Sequence, residues 1–377
     1  MGSGAEIVLE ELLKAWTPED LQLVLLAPEG SRPHDAAKES DIEWHDLSIK
    51  KNGLHMLDNL RAVKAACESI PKCDVVLSWT IRTFPASEWL GRQWTVPCAG
   101  VLHDNPFPRK MHGPVLWNPR GMDFKRLCSW KEMLWHSQEY VLRTWWRWQW
   151  AHRVANRFSK LVCVSEAVRQ ECIRNGYRCP MTVIRNGLVD IPVGDGIQDG
   201  KLRIGFLGME HPHRKGFSVV EQWISRLTGD VVWKLYGGAS KSTVRRIEKL
   251  KKQYSIEYRG FQDRTAIFKE IDVLMHASTL FDPLPTVLIE AARAGIPCVA
   301  SSQGGASEIV EEEVSGSIFD LDETDVGLEK LNALFDCGRR ERMGRNARNL
   351  FGERFRVERM AQEYLLFFTC LIGGKNT

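Results

Sequence analysis

The stretch Asp282-Pro-Leu-Pro-Thr-Val-Leu-Ile-Glu290-Ala-Ala-Arg-Ala-Gly-Ile-Pro-Cys-Val-Ala-Ser301 predicts a helix that is followed directly by a buried strand. The helix begins after the second proline and ends at the glycine, and the strand begins at the third proline. One carboxylate, Asp282, precedes the helix, and a second, Glu290, follows two turns later. Between them lie the first backbone N–H groups of the helix, which favour phosphate. These amides belong to Thr286, Val287 and Leu288.

Each carboxylate also has an ordinary interpretation. Asp282 alone is typical of a helix cap, and Glu290 alone is typical of a solvated side chain. The spacing of the whole stretch favours a ligand that carries hydroxyls at two places, with phosphates between them.

Short β-branched runs alternate with longer helical patterns on both sides of this stretch, which is typical of parallel sheets with crossover helices. In the first half, strands are expected at 21–27, 74–79, 97–103, 161–165 and 182–184. In the second half, they are expected at 202–207, 231–236, 256–258, 272–275, 297–300 and 317–319. Each set is sufficient for one doubly wound domain.

The segment 188–200 is rich in glycine and acidic residues and predicts a linker between the two domains. We therefore expect a first domain at 1–190, a second at 201–352, and a C-terminal helix within 353–377. The chain also runs from Met1 almost directly into a helical pattern at 7–16, without the strand that usually opens a parallel sheet.

Length and composition set the broad class. A chain of 377 residues, 44% of them hydrophobic, can bury two cores, and a formal net charge of +3 gives no argument for nucleic acid. No apolar run of about 18 residues and no basic start with an apolar core is present, so we expect a cytoplasmic protein. The ten cysteines lack C-x-x-C or zinc-ligand spacing, and buried free thiols are expected.

Two glycine-containing segments could deliver phosphate-binding loops. Gly2 and Gly4 precede the first helical pattern, although a flexible terminus or an expression scar explains them equally well. The segment 208–216 follows an apolar strand and places Arg214 and Lys215 at the mouth of the second sheet, where cations suit a diphosphate leaving group. Its ordinary interpretation is a solvated basic loop, in which the two histidines are surface residues.

The spacing of Asp282 and Glu290 resembles the E-x7-E element of the retaining GT-B glycosyltransferases, particularly the large family 4. Other segments resemble the family's pattern in the same order along the chain, and the likeness runs from Gly2 to the tail. They are 101–104, 161–166, 183–187, 272–278, 304–308 and 315–316.

This resemblance implies an α/β fold of GT-B type. Two doubly wound, Rossmann-like domains would face each other across a cleft, and the C-terminal helix would cross back to the N-terminal domain. The second domain would bind the nucleotide sugar and the first would bind the acceptor.

The resemblance also implies a role for individual residues. Glu290 would bind the ribose hydroxyls, Asp282 the hydroxyls of the transferred sugar, and His103 the sugar near its reacting carbon. Lys215 would neutralise the diphosphate. The backbone at Thr286, Val287, Leu288, Gly2 and Gly4 would assist it, and Gly260 and Phe261 would lie near the base.

The implied reaction is transfer of a hexose-type sugar from a nucleotide diphosphate, UDP before GDP, to a glycan or lipid-linked acceptor. Retention of configuration would proceed without a metal ion or other cofactor, because a donor phosphate oxygen accepts the acceptor's proton. Two alternatives stay open: a GT-B hydrolase, epimerase or synthase, and a noncatalytic sugar-nucleotide binder or assembly partner.

Two residues depart from the family pattern. The first carboxylate, Asp282, is one methylene shorter than the usual Glu, which affects its reach toward the sugar. The arginine usually found shortly before the lysine is replaced by Met209, which leaves Arg214 as a possible substitute.

A basic, tryptophan-rich segment spans 109–160 and contains seven of the fourteen tryptophans. Helical spacing joins Trp146, Trp150 and Val154, with arginines interleaved. One interpretation is a peripheral contact with an anionic membrane or a lipid-linked acceptor. The other is core packing within an enlarged helical insertion, because tryptophan is usually buried.

Overall fold

The computed structural model of the protein describes residues 4–17, 19–47, 56–68, 70–81, 83–103, 153–191 and 200–373. The chain divides into two compact units. The first comprises Met1–Asn186 together with Val357–Thr377, and the second comprises Gly187–Arg356. The first unit therefore ends near the expected boundary at 190, whereas the second unit begins at Gly187, before the expected linker at 188–200, and ends at Arg356 rather than at 352.

Where the structure describes it, the first unit contains two all-parallel sheets, of order β1-β2 and β3-β4-β5-β6. Four of its described helices lie between successive strands. The elements, in chain order, are α1 Gly4–Ala15, β1 Val24–Ala27, α2 Arg32–Glu39, β2 Glu43–Asp46, α3 Met56–Cys67, β3 Val76–Ser78, α4 Phe84–Trp94, β4 Cys98–Leu102, β5 Lys160–Cys163, α5 Glu166–Arg174 and β6 Met181–Val183. Strand β4 is buried along its whole length because it lies between two neighbours and beneath helices.

The second unit is a six-stranded parallel sheet of order β12-β11-β10-β7-β8-β9. Its elements are β7 Leu202–Leu207, α6 Phe217–Ile224, β8 Val231–Tyr236, α7 Lys241–Lys251, β9 Ile256–Gly260, α8 Arg264–Lys269, β10 Val273–His276, α9 Thr286–Arg293, β11 Cys298–Ser301, β12 Gly316–Phe319, α10 Thr324–Asn332 and α11 Cys337–Arg354. The strand order reverses direction between β7 and β10. In open α/β sheets, ligands bind at the carboxyl ends of the strands at such a switch point.

The core of the second unit lies between this sheet and its helices. Trp223, Phe217 and Met343 from the helices pack with Phe206 and Trp233 from the strands, and all five are almost completely buried. This packing fixes the carboxyl edge of the sheet, from which the loops after β7 and β10 emerge.

The C-terminal helix α12, Val357–Gly373, belongs to the first unit. Trp16, just after α1, donates from Nε1 to the Ala361 carbonyl at 3.3 Å. Its ring contacts Tyr364 and Phe368 at centroid distances of 6.1 and 6.0 Å. These contacts join the two ends of the first unit.

The expected strands all occur, with ends shifted by a few residues. The prediction missed β2, because its sequence Glu-Trp-His-Asp is polar and its end residues are exposed. A parallel pairing with β1 stabilises it, and Trp44 Nε1 donates to the Ala27 carbonyl at 2.9 Å. Tertiary pairing here overrides a weak local preference for strand.

Part of the expected linker is anchored in the second unit. Leu188 donates its amide to the Phe355 carbonyl at 2.8 Å, and Arg348 pairs with Asp190 at 2.6 Å. Residues 192–199 lie outside the described residues.

The tryptophan-rich segment also lies outside them, except for 153–160, where Val154 and Phe158 are buried. Among the described residues, no helix is long and apolar enough to cross a membrane.

Five described cysteines are buried, but Cys337 and Cys370 are exposed, so the expectation of buried thiols is wrong for these two. Both lie on helices, and the spacing of the cysteines in the sequence does not show whether the helix face that carries each one is buried or exposed.

Candidate functional site

The candidate site lies at the switch point of the second unit, where the segments after β7 and β10 meet. The Thr279 amide donates to the Arg214 carbonyl at 2.9 Å, and the Thr279 hydroxyl donates to the His213 carbonyl at 2.9 Å. Two loops that are distant in sequence are therefore held together at the carboxyl edge of the sheet.

Gly216 permits this approach. Its φ is +76°, and a Cβ atom there would lie 1.9 Å from the Ala277 carbonyl oxygen. Only glycine combines this backbone conformation with so close a backbone contact. Lys215 is consequently presented beside the end of β10.

Lys215 forms an ion pair with Asp282. Its Nζ atom lies 2.9 Å from Asp282 Oδ2, and the two side chains are 32% and 18% exposed. The cation and the carboxylate that the sequence singled out are thus in direct contact, at the edge where the phosphate was expected.

The backbone of Asp282 is held by the predicted Gly304 segment. The Gly305 amide donates to the Asp282 carbonyl at 2.9 Å. Gly304 has φ +85°, and a Cβ atom there would lie 2.0 Å from the same carbonyl oxygen. The glycine pair therefore lets the chain approach closely enough to fix the loop that carries Asp282.

His276 ends β10 and lies next to this ion pair. Its side chain is 3% exposed, and its Nε2 atom lies 3.8 Å from Asp282 Oδ2. Burial, and then the charge of Lys215, lower the pKa of His276 to about 4, while Asp282 opposes the shift. The imidazole is therefore neutral at neutral pH.

Glu290 lies on α9, almost completely buried, and is bound by Arg264. The Nη1 atom of Arg264 donates to Oε1 at 2.8 Å and to Oε2 at 2.7 Å. Arg264 is the first residue of α8, which Asp263 caps. Arg264 was not predicted from the sequence. The sequence signal that could have indicated it is the Asp263 cap, which starts a helix shortly after Phe261.

The amino end of α9 begins at Thr286, and Pro285 precedes it without a side-chain cap. The first amides of a helix have no partner within the helix. The Leu288 amide, however, donates to the Pro285 carbonyl at 3.0 Å. This bond occupies the Leu288 amide in the first turn, so a phosphate contact from Leu288 stays a prediction, and the amides of Thr286 and Val287 are the better candidates.

Phe261 follows β9 and is 55% exposed. Its ring lies over Gly238, where a Cβ atom would be 2.6 Å away, and the preceding Gly260 is surrounded by open space. An exposed aromatic ring at the carboxyl edge offers a face on which a planar base can stack.

The remaining residues of the loop after β7 have different environments. Met209 is fully buried in the core cluster, so this side chain packs and does not face a ligand. Arg214 and the two histidines of the loop are exposed. In the described part of the chain, no group of three or more His, Cys, Asp or Glu side chains could hold a metal ion.

His103 belongs to the first unit, directly after β4. Its ring packs on Trp79 at a centroid distance of 4.5 Å, and burial lowers its pKa to about 3. Trp79 Nε1 donates to the Ala5 carbonyl at 2.9 Å, so Trp79, which sequence reasoning missed, joins His103 to the start of α1. Gly4 is the first residue of that helix, and Gly2 lies outside the described residues.

Two family models cover the chain in succession. The model described as Glycosyltransferase Family 4 matches residues 2–190, half of the chain, and the model described as Glycosyl transferases group 1 matches residues 194–350. The chain belongs to glycosyltransferase family 4. The resemblance drawn from the E-x7-E-like spacing is confirmed.

The curated proteins that this chain resembles are distant from it in sequence. N-acetyl-alpha-D-glucosaminyl L-malate synthase of Bacillus anthracis is 29% identical over 119 residues, which is 31% of this chain and 31% of that protein. The match therefore spans less than a third of that relative's length. UDP-Gal:alpha-D-GlcNAc-diphosphoundecaprenol alpha-1,3-galactosyltransferase of Escherichia coli is 25% identical over 310 residues, 76% of this chain and 72% of that protein.

Solved structures show the same fold over almost the whole chain. HepE of Anabaena, crystallised with UDP-glucose, gives a TM-score of 0.72 at 19% identity, covering 98% of this chain and 96% of that one. The predicted α/β fold of GT-B type, with two Rossmann-like units, is confirmed.

Proposed function

We propose that the chain transfers a hexose-type sugar from a UDP-linked donor to a glycan or lipid-linked acceptor. The observation that carries this proposal is the ion pair of Lys215 with Asp282 beside the amino end of α9. A cation and a carboxylate meet there at a switch point, a few residues before a helix amino end, which suits a ligand with a diphosphate next to a sugar.

Each part of the donor has a matching group. The ammonium of Lys215 and the amides of Thr286 and Val287 bind the diphosphate. Asp282 accepts hydrogen bonds from the sugar hydroxyls, and Glu290 accepts them from the ribose, because a carboxylate offers about four lone-pair sites and Arg264 leaves some of them available. The base stacks on Phe261.

The chemistry follows from the growth of negative charge on the leaving group. As the bond between the anomeric carbon and the diphosphate oxygen breaks, Lys215 is attracted more strongly to that oxygen, which stabilises the transition state. The acceptor hydroxyl bonds to the same face of the anomeric carbon, and its proton passes to the departing diphosphate. Configuration is retained, and no metal ion takes part.

Names of related proteins support the choice of donor. The Escherichia coli relative is named as acting on UDP-Gal with a lipid-linked acceptor, and the Anabaena structure contains UDP-glucose. In the first unit, His103 is partly buried and neutral, which suits a contact with an uncharged sugar. The basic segment 109–160 is the proposed contact with a lipid-linked acceptor or the membrane that carries it.

The test is a donor panel. Thermal shift with UDP-glucose, UDP-galactose, UDP-N-acetylglucosamine and GDP-mannose measures binding, because a bound ligand raises the melting temperature. Product analysis follows, with and without acceptor and with EDTA. We expect UDP-sugars to stabilise the protein and acceptor-dependent transfer to survive EDTA.

Other outcomes would contradict the proposal in different ways. Sugar release without acceptor identifies a hydrolase, and donor binding without turnover across the acceptors identifies a noncatalytic binder. If none of the nucleotide sugars raises the melting temperature, the assignment of a donor-binding site here is contradicted.

A further inference from the structure

His276 carries a polar atom that no other part of the account explains. Its side chain is 97% buried at the end of β10, and no described residue forms a hydrogen bond with its Nε2 atom. The large majority of buried polar side-chain atoms have a hydrogen-bond partner, so an exception beside a candidate site calls for an explanation.

Asp282 Oδ2 lies 3.8 Å from this nitrogen. That distance is too long for a hydrogen bond, but a small rotation of the carboxylate would close it. Lys215 Nζ binds the same oxygen at 2.9 Å. One carboxylate oxygen therefore faces two possible donors and is bonded to only one of them.

The charges around the ring favour a neutral donor. Lys215 and Asp282 are the charged groups that act on His276, and burial adds to the effect of Lys215, so the pKa of the ring lies at about 4. A neutral imidazole carries one N–H group, which can be placed on Nε2. It can then bind a carboxylate without bringing a second buried charge.

We propose that His276 is a positioning residue that holds Asp282 when Lys215 moves to the donor diphosphate. This inference rests on the proposed function. A diphosphate competes with Asp282 for the ammonium of Lys215, and a carboxylate that loses its cation would turn toward solvent. Donation from His276 Nε2 replaces the lost contact and keeps the carboxylate directed at the sugar hydroxyls.

Two substitutions of His276 separate donation from packing. His276→Gln retains an N–H donor near the position of Nε2, whereas His276→Leu has a similar volume and no donor. A hydrogen bond to a charged group contributes enough for about a tenfold change in affinity. We expect His276→Leu to weaken UDP-sugar binding about tenfold and UDP binding less than twofold, and His276→Gln to restore most of the loss.

The dissociation constants of UDP and of the UDP-sugar are measured by calorimetry for the wild type and both variants, after thermal melting shows that each is folded. A double-mutant cycle adds Asp282→Ala, in which His276→Leu should cause no further loss if it acts through Asp282. Three outcomes would overturn the role of His276 while leaving the proposed function intact. They are an equal loss of affinity for UDP and for the UDP-sugar in His276→Leu, no loss of affinity in that variant, and the same loss of affinity when His276→Leu is added to Asp282→Ala. A wild type that binds no nucleotide sugar would overturn the proposed function and this role together.

Discussion

At the scale of single residues, each of the two site carboxylates is matched with one cation. Asp282 pairs with Lys215, and Glu290 pairs with Arg264, so the polar groups neutralise one another across the site. Glu290 is 2% exposed, and a buried carboxylate without a cation is strongly unfavourable. A donor with a diphosphate must therefore share or displace these cations, which links donor binding to local rearrangement.

Replacing Lys215 by alanine should reduce kcat about 100-fold, because the cation stabilises charge that develops only in the transition state. The affinity for the donor should fall much less. Steady-state kinetics separate the two effects. Lys252→Ala, at an exposed position after α7, is the matched control and should behave as the wild type; equal kinetics for both variants would exclude Lys215 from the reaction.

The buried state of His276 predicts a pH effect on stability. Its pKa lies at about 4 in the folded protein, against an ordinary value of 6.5, so the unfolded chain binds a proton at pH values where the folded chain does not. The contribution of neutral His276 to the free energy of unfolding is complete above pH 6.5 and is lost as the pH falls toward 4. Between pH 7 and pH 5 the wild type should lose about 2 kcal/mol more than His276→Gln.

Urea denaturation at the two pH values measures this difference. His103, whose pKa is also lowered by burial, is present in both proteins and therefore cancels from the comparison. Parallel pH profiles for the two proteins would show that His276 is not buried and neutral as described.

At the scale of elements, the site depends on where β7 and β10 end. The two neighbouring strands lead into different loops, which carry Lys215 and Asp282, and the strand order reverses between them. Gly216 fixes the first loop against the Ala277 carbonyl, and Gly304 fixes the second. The precision of the site therefore resides in backbone contacts at the sheet edge.

Gly216→Ala should destabilise the protein by about 3 kcal/mol, since the new methyl group meets a backbone oxygen and the positive φ is strained. Donor binding should weaken as Lys215 moves. Gly352→Ala is the matched control, because Gly352 lies in α11 with open space around it. The control should stabilise the protein by about 0.5 to 1 kcal/mol.

Chemical denaturation of the two variants measures both values. If Gly216→Ala were as stable as Gly352→Ala, the loop after β7 could not be held against β10 as described.

At the scale of the whole molecule, the alternation of strands and helices was sufficient to predict two parallel α/β units. Periodicity and turn residues specify such elements locally, so eleven of the twelve strands in the described part of the chain were predictable, and polar β2 was not. Lys215, Asp282 and Glu290 were predictable because their spacing is fixed within short segments. Arg264 and His276 were not, because their partners are brought to them by the sheet topology.

The first unit should depend on its C-terminal helix. Trp16→Ala removes a buried ring that packs on α12 and should cost about 3 kcal/mol. Leu366→Ala, on the exposed face of the same helix, should be almost neutral. Thermal unfolding compares the two variants, and a neutral Trp16→Ala would contradict the packing of α12 on the first unit.

We propose above all that a nucleotide diphosphate sugar binds at the carboxyl edge of the second unit. A crystal structure of the protein with a UDP-sugar that stabilises it tests this most directly. We predict phosphate oxygens within hydrogen-bonding distance of Lys215 Nζ and of the Thr286 and Val287 amides, with the ribose on Glu290 and the sugar on Asp282. A donor bound elsewhere, with the Lys215–Asp282 and Arg264–Glu290 pairs left undisturbed, would contradict the account.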